Sequence, residues 1–296
     1  MTQLCYHFGS KHLMRRKLLP ILLPFLRGVQ QYREPFVGAG AIALSVMARH
    51  PRLSCWLNDI HPGLVSLWQA TRDHPEELVS RVQAFDPNVP DFCAFKADTT
   101  ARDQLLTTPA AIIELGFRQL AFTHMRWSGK GGSPRGGYSQ RQPRIGERWS
   151  ACHLSTKLKM ISDRLSYTTC TCGDFEKVVE DTSNRAFLFV DPPYVHNENY
   201  YDCDFSIDDH CRLAELLYKT DHTWLLTYHD HPIVRALYKW AGIRTWTFNA
   251  SERDTILIMP PTERPRRVSL LSPAAGSIRP VERLGEAKVG RKRGDT

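Results

Sequence analysis

The chain has 296 residues, of which 42% are hydrophobic, and a formal net charge of +8 at pH 7. This composition is that of an ordinary globular protein, and no apolar run is long enough to cross a bilayer, which argues against a membrane-spanning chain. The charge is concentrated in residues 126–148, with six basic residues against one acidic, and in residues 263–296, with nine against four. Two basic segments on a nearly neutral body predict a polyanionic partner.

The first element predicted along the chain is a helix that follows Phe8-Gly9-Ser10-Lys11. Ser10 can cap this helix, and Leu18 and Leu22 lie on its apolar face. Lys11 falls in the first turn, where the helix dipole disfavours a cation. We therefore interpret Lys11 either as a solvated side chain or as the ligand of a bound carboxylate.

A glycine turn between a short strand and a helix is predicted at Glu34-Pro35-Phe36-Val37-Gly38-Ala39-Gly40. Glycine lets the backbone approach a ligand closely, although the third glycine of a dinucleotide fingerprint is missing. A second strand ends in Asp59, roughly 20 residues after the turn, where an acid typically binds a ribose diol. Together the two features predict a cofactor that contains a nucleoside.

Helical patterns dominate from His61 to about Thr123, and we interpret this segment as an insertion into the sheet fold. It leads into residues 126–138, which combine glycines with basic and aromatic side chains. Such a segment is suited to contact phosphates and base edges, and its glycine spacing does not fit a P-loop. After an amphipathic helix over Leu154–Leu165, a further strand ends at Asp174-Phe175.

The central stretch of the sequence is Phe187–Val190, which predicts a fully buried strand, followed by Asp191-Pro192-Pro193-Tyr194. Neither proline can extend a sheet and both fix the backbone, so a stiff rim is expected at the carboxyl end of this strand, where open α/β sheets bind ligands. The Asp191 carboxylate and the Pro192 carbonyl can accept both N–H groups of a nucleobase amine, and Tyr194 can stack on the base. For these four residues alone, a plain proline turn is the alternative.

The last elements are predicted in the order helix 208–219, strand 223–228, helix 232–241, a hairpin of strands 245–249 and 255–259, and a disordered basic tail. His229-Asp230-His231 does not predict a metal site, because adjacent residues on an extended chain diverge. The eight cysteines form no Cys-x-x-Cys pair, and we expect reduced thiols rather than metal ligands.

In this order, the motifs resemble those of the Dam-type, D12-class DNA adenine-N6 methyltransferases over nearly all of residues 5–260. Glu34–Gly40 resembles the S-adenosylmethionine loop of that family, and Asp191–Tyr194 resembles its catalytic motif. The loop from Arg126 to Gln140 is similar to a hairpin in the family's target-recognition region. The chain departs from the family at Thr123–Arg126, where members often have an Asn-Arg pair, and this departure concerns the recognised sequence rather than the chemistry.

The resemblance implies transfer of a methyl group from S-adenosylmethionine to N6 of an adenine flipped out of double-stranded DNA. It implies catalytic roles for Asp191, Pro192, Pro193 and Tyr194. The residues that it places at the cofactor are Tyr6, Lys11, Glu34, Pro35, Phe36, Gly38, Ala39, Gly40, Asp59, Asp174, Phe175 and Asp191. The residues that it places at the DNA are Arg126, Ser128, Lys130, Arg135, Tyr138 and Arg141, and it implies no metal.

The predicted fold class is α/β, with a Rossmann-like methyltransferase sheet. Residues 1–60 and 150–262 are predicted to form the catalytic domain, 61–149 a helical target-recognition domain, and 263–296 a disordered basic tail. We expect a cytoplasmic, nucleoid-associated monomer from a bacterial cell or a phage-infected host, without membrane contact. The sequence leaves open whether a cognate restriction endonuclease is a partner.

Three alternatives remain at the level of the sequence. The acceptor could be N4 of cytosine, although Asp rather than Ser before Pro-Pro-Tyr favours adenine in this family. The substrate could be RNA. The chain could also be a DNA-binding protein that keeps the fold without catalysis, but an intact Asp191 and an intact glycine turn argue against that interpretation.

Overall fold

A computed structural model describes residues 4–5, 14–100, 108–126, 145–195, 205–246 and 255–261, with the backbone alone for 97–100 and 246. The helices are α1 (Arg15–Leu22), α2 (Ala41–Met47), α3 (Pro62–Asp73), α4 (Pro75–Ala84), α5 (Val89–Thr100), α6 (Pro109–Met125), α7 (Ala151–Ser162), α8 (Glu176–Glu180), α9 (Ile207–Lys219) and α10 (Pro232–Leu237), and a short 3-10 helix covers Leu23–Leu26. The strands are β1 (Gln31–Glu34), β2 (Ser54–Asp59), β3 (Thr168–Cys172), β4 (Ala186–Val190), β5 (Thr223–His229), β6 (Gly242–Trp246) and β7 (Thr255–Met259).

The described strands form one seven-stranded sheet in the order β3-β2-β1-β4-β5-β7-β6. Strands β1 to β5 are parallel, and β7 runs antiparallel to both β5 and β6. From β1 the chain builds outward through β2 and β3, and then returns to place β4 on the other side of β1. In open α/β sheets, ligands bind at the carboxyl ends of the strands beside such a reversal. The predicted α/β, Rossmann-like methyltransferase sheet is confirmed.

Strand β4 lies at the centre of the hydrophobic core, and all five of its residues are buried. Alternate side chains of a strand point to opposite faces of the sheet. Phe187 and Phe189 accordingly belong to the hydrophobic cluster on one side, whereas Leu188 and Val190 belong to the cluster on the other. Because both faces are covered, the sequence of β4 is apolar throughout rather than alternating.

Helices α3 to α6 follow β2, which confirms the helical pattern predicted from His61 to about Thr123. Helices α3 and α6 pack closely at Gly116, where a Cβ atom would lie 2.8 Å from the Ser66 carbonyl oxygen. These helices lie in the same compact unit as the sheet, which comprises residues 1–262. The boundaries of a separate domain at 61–149 therefore stay a prediction, and the tail 263–296 lies outside the described residues.

The antiparallel pair β6 and β7 confirms the predicted closing hairpin, although β6 begins at Gly242 rather than at Thr245. Its partner β7 spans Thr255–Met259, as expected from the sequence. Within the described part of the chain, no helix has the length and apolar character needed to cross a membrane.

Candidate active site

Four acidic residues lie at the carboxyl edge of neighbouring parallel strands. Glu34 ends β1, Asp59 ends β2, Asp174 follows β3 and Asp191 follows β4. Since these four strands are adjacent in the order β3-β2-β1-β4, their carboxyl ends meet at one side of the sheet. Acids that are far apart in the sequence are thereby collected on a single edge.

The turn after β1 depends on two glycines in the left-handed region, Gly38 at φ 50° and Gly40 at φ 64°. The Gly38 N–H donates to Asp59 Oδ2 at 2.8 Å, and the Gly38 carbonyl accepts from Trp68 Nε1 at 3.0 Å. A Cβ atom at Gly40 would lie 2.3 Å from Trp68 Cζ2. Position 40 therefore requires glycine for two reasons: the backbone is in the left-handed region, and the Trp68 indole leaves no room for a side chain.

Asp59 joins the glycine turn to the start of α3. Its Oδ2 accepts from the Gly38 N–H, and its Oδ1 accepts from the His61 N–H at 3.0 Å. Burial raises the pKa of the Asp59 carboxyl, and the N–H groups of His61 and Gly38 act in the opposite direction. Each carboxylate oxygen can accept more than one hydrogen bond, so Asp59 can hold the turn and still accept a ribose hydroxyl.

Asn58, next to it, links the ends of three strands. Its Nδ2 donates to the Pro35 carbonyl at 3.0 Å and to the Gly173 carbonyl at 2.9 Å. Its Oδ1 accepts from the Thr171 hydroxyl at 2.7 Å. This buried amide therefore fixes the spacing between the glycine turn after β1 and the Asp174 segment after β3.

The predicted pair Asp174-Phe175 lies at the outer end of this edge. Phe175 is only 5% exposed, and its ring packs against Phe36 and Phe205 with centroid distances of 5.2 and 5.7 Å. Phe36 is only partly buried. Of the two predicted cofactor-contacting rings, Phe36 therefore presents more surface to a ligand, whereas Phe175 supports it from behind. The Asp174 carboxylate forms an ion pair with Arg212 at 2.7 Å.

The Asp191 carboxylate is held by two hydroxyl groups. Its Oδ1 accepts from Thr227 Oγ1 at 2.6 Å and from the Tyr194 hydroxyl at 3.1 Å. Thr227 is fully buried on β5, and Tyr194 ends the same proline rim that carries Asp191. The orientation of the carboxylate is therefore fixed from a neighbouring strand as well as from its own motif.

Tyr194 is 7% exposed and packs against other aromatic rings. Its ring centroid lies 4.3 Å from that of His229 and 5.6 Å from that of Tyr228. Burial raises the pKa of the Tyr194 hydroxyl well above its ordinary value, so this group stays a proton donor. The structure places Tyr194 beside Asp191, with its ring packed against Tyr228 and His229 on β5.

Although Glu34 ends β1 at this edge, its side chain lies below the edge in the core, and the residue is only 2% exposed. Burial raises the pKa of Glu34 to about 8, and the negative charge of Asp191 adds to this effect. The Tyr32 hydroxyl donates to Glu34 Oε1 at 2.5 Å. Glu34 is therefore largely protonated at neutral pH and supports the turn from inside the core.

The predicted DNA-contacting residues are mostly outside the described residues, as are two of the predicted cofactor ligands. Arg126 is described: it follows α6, is 7% exposed, and its guanidinium lies 5.5 Å from the Phe122 ring centroid. Its contact with DNA stays a prediction. The predicted residues that lie outside the described ranges are Tyr6, Lys11, Ser128, Lys130, Arg135, Tyr138 and Arg141.

The residues along β1 to β3 fit a nucleoside cofactor. Asp59 offers acceptors for a ribose diol, and Asp174, with a side chain 36% exposed, offers an acceptor for an exocyclic amine. Phe36 and the left-handed glycines supply a flat contact and a close backbone approach. In the described ranges, no group of three His, Cys, Asp or Glu side chains is arranged to hold a metal ion.

Three side chains at this site did not follow from the motifs. In the sequence, Trp68 was only one apolar residue of a predicted helical segment, yet its indole N–H donates to the Gly38 carbonyl in the glycine turn. Thr227 read as part of a buried strand, yet it binds Asp191, and a hydroxyl at the end of an apolar run is the one signal that could have found it. Arg212 gave no signal beyond a charged residue in a helix.

A family model described as D12 class N6 adenine-specific DNA methyltransferase matches residues 8–251. The type II methyltransferase M.MjaIII of Methanocaldococcus jannaschii is 23% identical over 65% of this chain and 70% of its own length. The type II methyltransferase M1.LlaDCHI of Lactococcus lactis subsp. cremoris is 22% identical over 76% of this chain and 81% of its own. These two relatives come from cellular organisms, so of the two origins that the sequence left open, a bacterial cell or a phage, they lend no support to the phage.

Among solved structures, the rRNA methyltransferase aviRa from Streptomyces viridochromogenes is similar, with 12% identity and a TM-score of 0.37. The match covers 83% of each chain.

Proposed function

The chain belongs to the D12 class of N6 adenine-specific DNA methyltransferases, and from this premise we propose that one edge of its sheet holds both reactants. It is an adenine-specific DNA methyltransferase that uses S-adenosylmethionine. We assign the cofactor to the ends of β1, β2 and β3, and the target adenine to the end of β4. The two sites meet at the reversal between β1 and β4, where the carboxyl ends of both strands are adjacent.

The proposal depends chiefly on one observation, the fixed orientation of the Asp191 carboxylate by Thr227 and Tyr194. The amino nitrogen of adenine is a weak nucleophile, because its lone pair is delocalised into the ring. Asp191 and the Pro192 carbonyl accept its two N–H groups and draw the nitrogen toward tetrahedral geometry. Preorganised acceptors of this kind need no rearrangement during the reaction.

S-adenosylmethionine, when bound, supplies a methyl group on a positively charged sulfur. Asp191 and Pro192 aim the lone pair of N6 at that carbon. On transfer of the methyl group to N6, the electron pair of its former bond to sulfur would stay with the cofactor. The methylated nitrogen then releases one proton, and Asp191 is the group hydrogen-bonded at that atom to receive it.

On the cofactor side, we assign Asp59 to the ribose hydroxyls and Asp174 to the exocyclic amine of the cofactor's adenine. The carboxylates lie at the ends of the adjacent strands β2 and β3, with Asn58 fixing their spacing. Phe36 supplies a ring beside them. Gly38 and Gly40 let the backbone approach the methionine end.

We further propose that double-stranded DNA binds through the two basic segments, and that the target adenine is flipped out of the helix. Flipping costs a few kcal/mol, which pocket contacts and backbone charges offset. A monomer acting with the DNA in the cytoplasm, beside a cognate restriction endonuclease, fits the similarity to type II methyltransferases. Deletion of residues 263–296 should weaken DNA affinity and flatten its salt dependence without changing the methylated sequence.

The test of the catalytic assignment is Asp191→Ala, compared with Asp230→Ala, which removes an acid that follows β5 and pairs with Arg235. Methylation-sensitive sequencing of DNA from cells that express each protein should show N6-methyladenine in one short motif for the wild type and Asp230→Ala. The methylation rate of Asp191→Ala should be at least about 10²–10³-fold lower than that of the wild type. Calorimetry should find its cofactor affinity within a few-fold of the wild type.

Equal loss of cofactor affinity and activity in Asp191→Ala would mean that the residue belongs to the cofactor site. Unmodified DNA together with modified RNA from cells expressing the wild type would contradict the proposed substrate.

A further inference from the structure

Arg212 lies on α9, away from every motif, and contacts the predicted cofactor-adenine pair from outside. Its Nη2 lies 2.7 Å from Asp174 Oδ2, and its Nη1 lies 3.1 Å from Asp174 Oδ1. This is a two-point, fork-like contact, which fixes the plane of a carboxylate as well as its position. The Glu176 N–H also donates to Asp174 Oδ1 at 2.8 Å.

The same guanidinium covers the ring of Phe175. Arg212 Cζ lies 4.4 Å from the centroid of that ring, within the range of a cation–π contact. Phe175 packs in turn against Phe36 in the glycine turn. One side chain therefore holds Asp174 directly, and reaches the ring of Phe36 through Phe175.

Arg212 is itself fixed from two directions. It contacts Glu176 Oε2 at 2.9 Å and Asp209 Oδ1 at 2.9 Å. Asp209 forms a capping box with Ser206 at the start of α9, so the helix end and the guanidinium are held together. The guanidinium is thus shared by three carboxylates, those of Asp174, Glu176 and Asp209, and its charge offsets their mutual repulsion.

The arrangement is better suited to orientation than to stability. The side chains of Arg212 and Asp174 are each 36% exposed, and ion pairs this accessible contribute little to folding stability because solvent screens them. A planar fork that is bonded to three acids and stacked on a ring, however, leaves Asp174 little freedom to rotate. The cluster therefore holds the Asp174 carboxylate in one orientation, which an exposed aspartate without these partners would not keep.

We propose that Arg212 is a positioning residue, which holds Asp174 and Phe175 in the geometry that selects a cofactor carrying a 6-amino purine. This inference rests on the proposed assignment of Asp174 to the cofactor's adenine. A fixed acceptor binds the exocyclic amine and repels the oxygen of a 6-oxo purine. A carboxylate that rotates freely discriminates less, because it can turn away from that oxygen.

The experiment measures, by calorimetry on the full chain, the affinity for S-adenosylhomocysteine and for its 6-oxo analogue, S-inosylhomocysteine. Arg212→Gln should reduce the preference for the 6-amino ligand about tenfold. It should leave kcat at saturating cofactor within about twofold, because Arg212 does not touch the reacting atoms. Arg212→Lys, which keeps the charge and loses the fork, should give an intermediate preference.

The matched control is Arg235→Gln. Arg235 lies on α10 and also makes a two-point contact with a carboxylate: its Nε and Nη2 donate to Asp230 Oδ1 and Oδ2, both at 2.6 Å. This variant should keep the full preference. If Arg212→Gln does not fold, Arg212→Lys alone decides the question, and a preference equal to that of the wild type would overturn the inference.

Asp174→Asn separates this inference from the assignment on which it rests. If Asp174→Asn loses the preference but Arg212→Gln retains it, or weakens both ligands equally, the positioning role is wrong and the assignment of Asp174 stands. If Asp174→Asn also retains the preference, the assignment of Asp174 is wrong and the role of Arg212 falls with it.

Discussion

The cofactor side and the target-base side of this site are fixed by different means. On the cofactor side, the glycine turn is set by backbone conformation, by N–H groups that donate to Asp59, and by the Trp68 indole. On the target-base side, Asp191 is set by hydroxyls of Thr227 and Tyr194. Changes on the first side should therefore act on shape and binding, whereas changes on the second should act on the rate of the chemical step.

The largest effect is expected for Gly40→Ala, which places a Cβ atom against Trp68 in a left-handed conformation. We expect a loss of about 1–3 kcal/mol of folding stability from the strain, more from the clash, and a cofactor affinity weakened at least about tenfold. Urea denaturation and calorimetry measure the two effects. Gly28→Ala is the matched control, because Gly28 has φ +72° but nothing within 4 Å of its added Cβ. Equal losses in the two variants would show that the Trp68 contact is unimportant.

The next effect is expected for Thr227→Val, which keeps the shape and removes the hydroxyl that binds Asp191. A hydrogen bond to a charged group contributes about 1.5–3 kcal/mol, so kcat should fall about 10–100-fold. Cofactor affinity should change little. Single-turnover methylation kinetics separate an effect on the rate of the chemical step from an effect on cofactor binding. Thr227→Ser, which restores the hydroxyl, should recover most of the rate; a rate as low as that of Thr227→Val would argue for packing rather than hydrogen bonding.

An effect of a different kind, on folding stability and dependent on pH, is expected for Glu34→Gln. The pKa of Glu34 rises from 4.5 to about 8 on folding, so the folded state keeps a proton that the unfolded state has lost between these values. Wild-type stability should therefore fall with rising pH over this window, by up to about 1.4 kcal/mol per pH unit from this group. Glu34→Gln removes that slope, so its stability relative to wild type should rise from pH 5.5 to 8. A difference that stays constant over this range would mean that Glu34 ionises normally.

The smallest effect is expected for Tyr194→Phe. The ring that packs against His229 is retained, and only the hydroxyl bonded to Asp191 is lost. Since Thr227 still holds the same carboxylate oxygen, kcat should fall by no more than about threefold to tenfold. A loss larger than that of Thr227→Val would reverse the order of importance of the two hydroxyls.

Features that depend only on residues close together in the sequence could be predicted from it. The apolar run of β4 indicated a strand buried on both faces, and the prolines after it marked where that strand ends. The glycine turn and the acid that ends β2 were found because the spacing between them is set by one strand–helix–strand unit. Helices α3, α4 and α6 followed from periodicity, whereas α5 carried no such pattern.

The sequence by itself thus determined the strands, the glycine turn and the four acids at the strand ends. Only the tertiary structure decided which partners hold those acids: Thr227 for Asp191, Arg212 for Asp174 and the Gly38 N–H for Asp59. It also decided that Phe175 is buried behind Phe36 and that Glu34 lies below the edge. The physical reason is that a motif is encoded by residues adjacent in the chain, whereas its partners come from other strands and helices. Their identity depends on strand order and packing, which no local pattern carries.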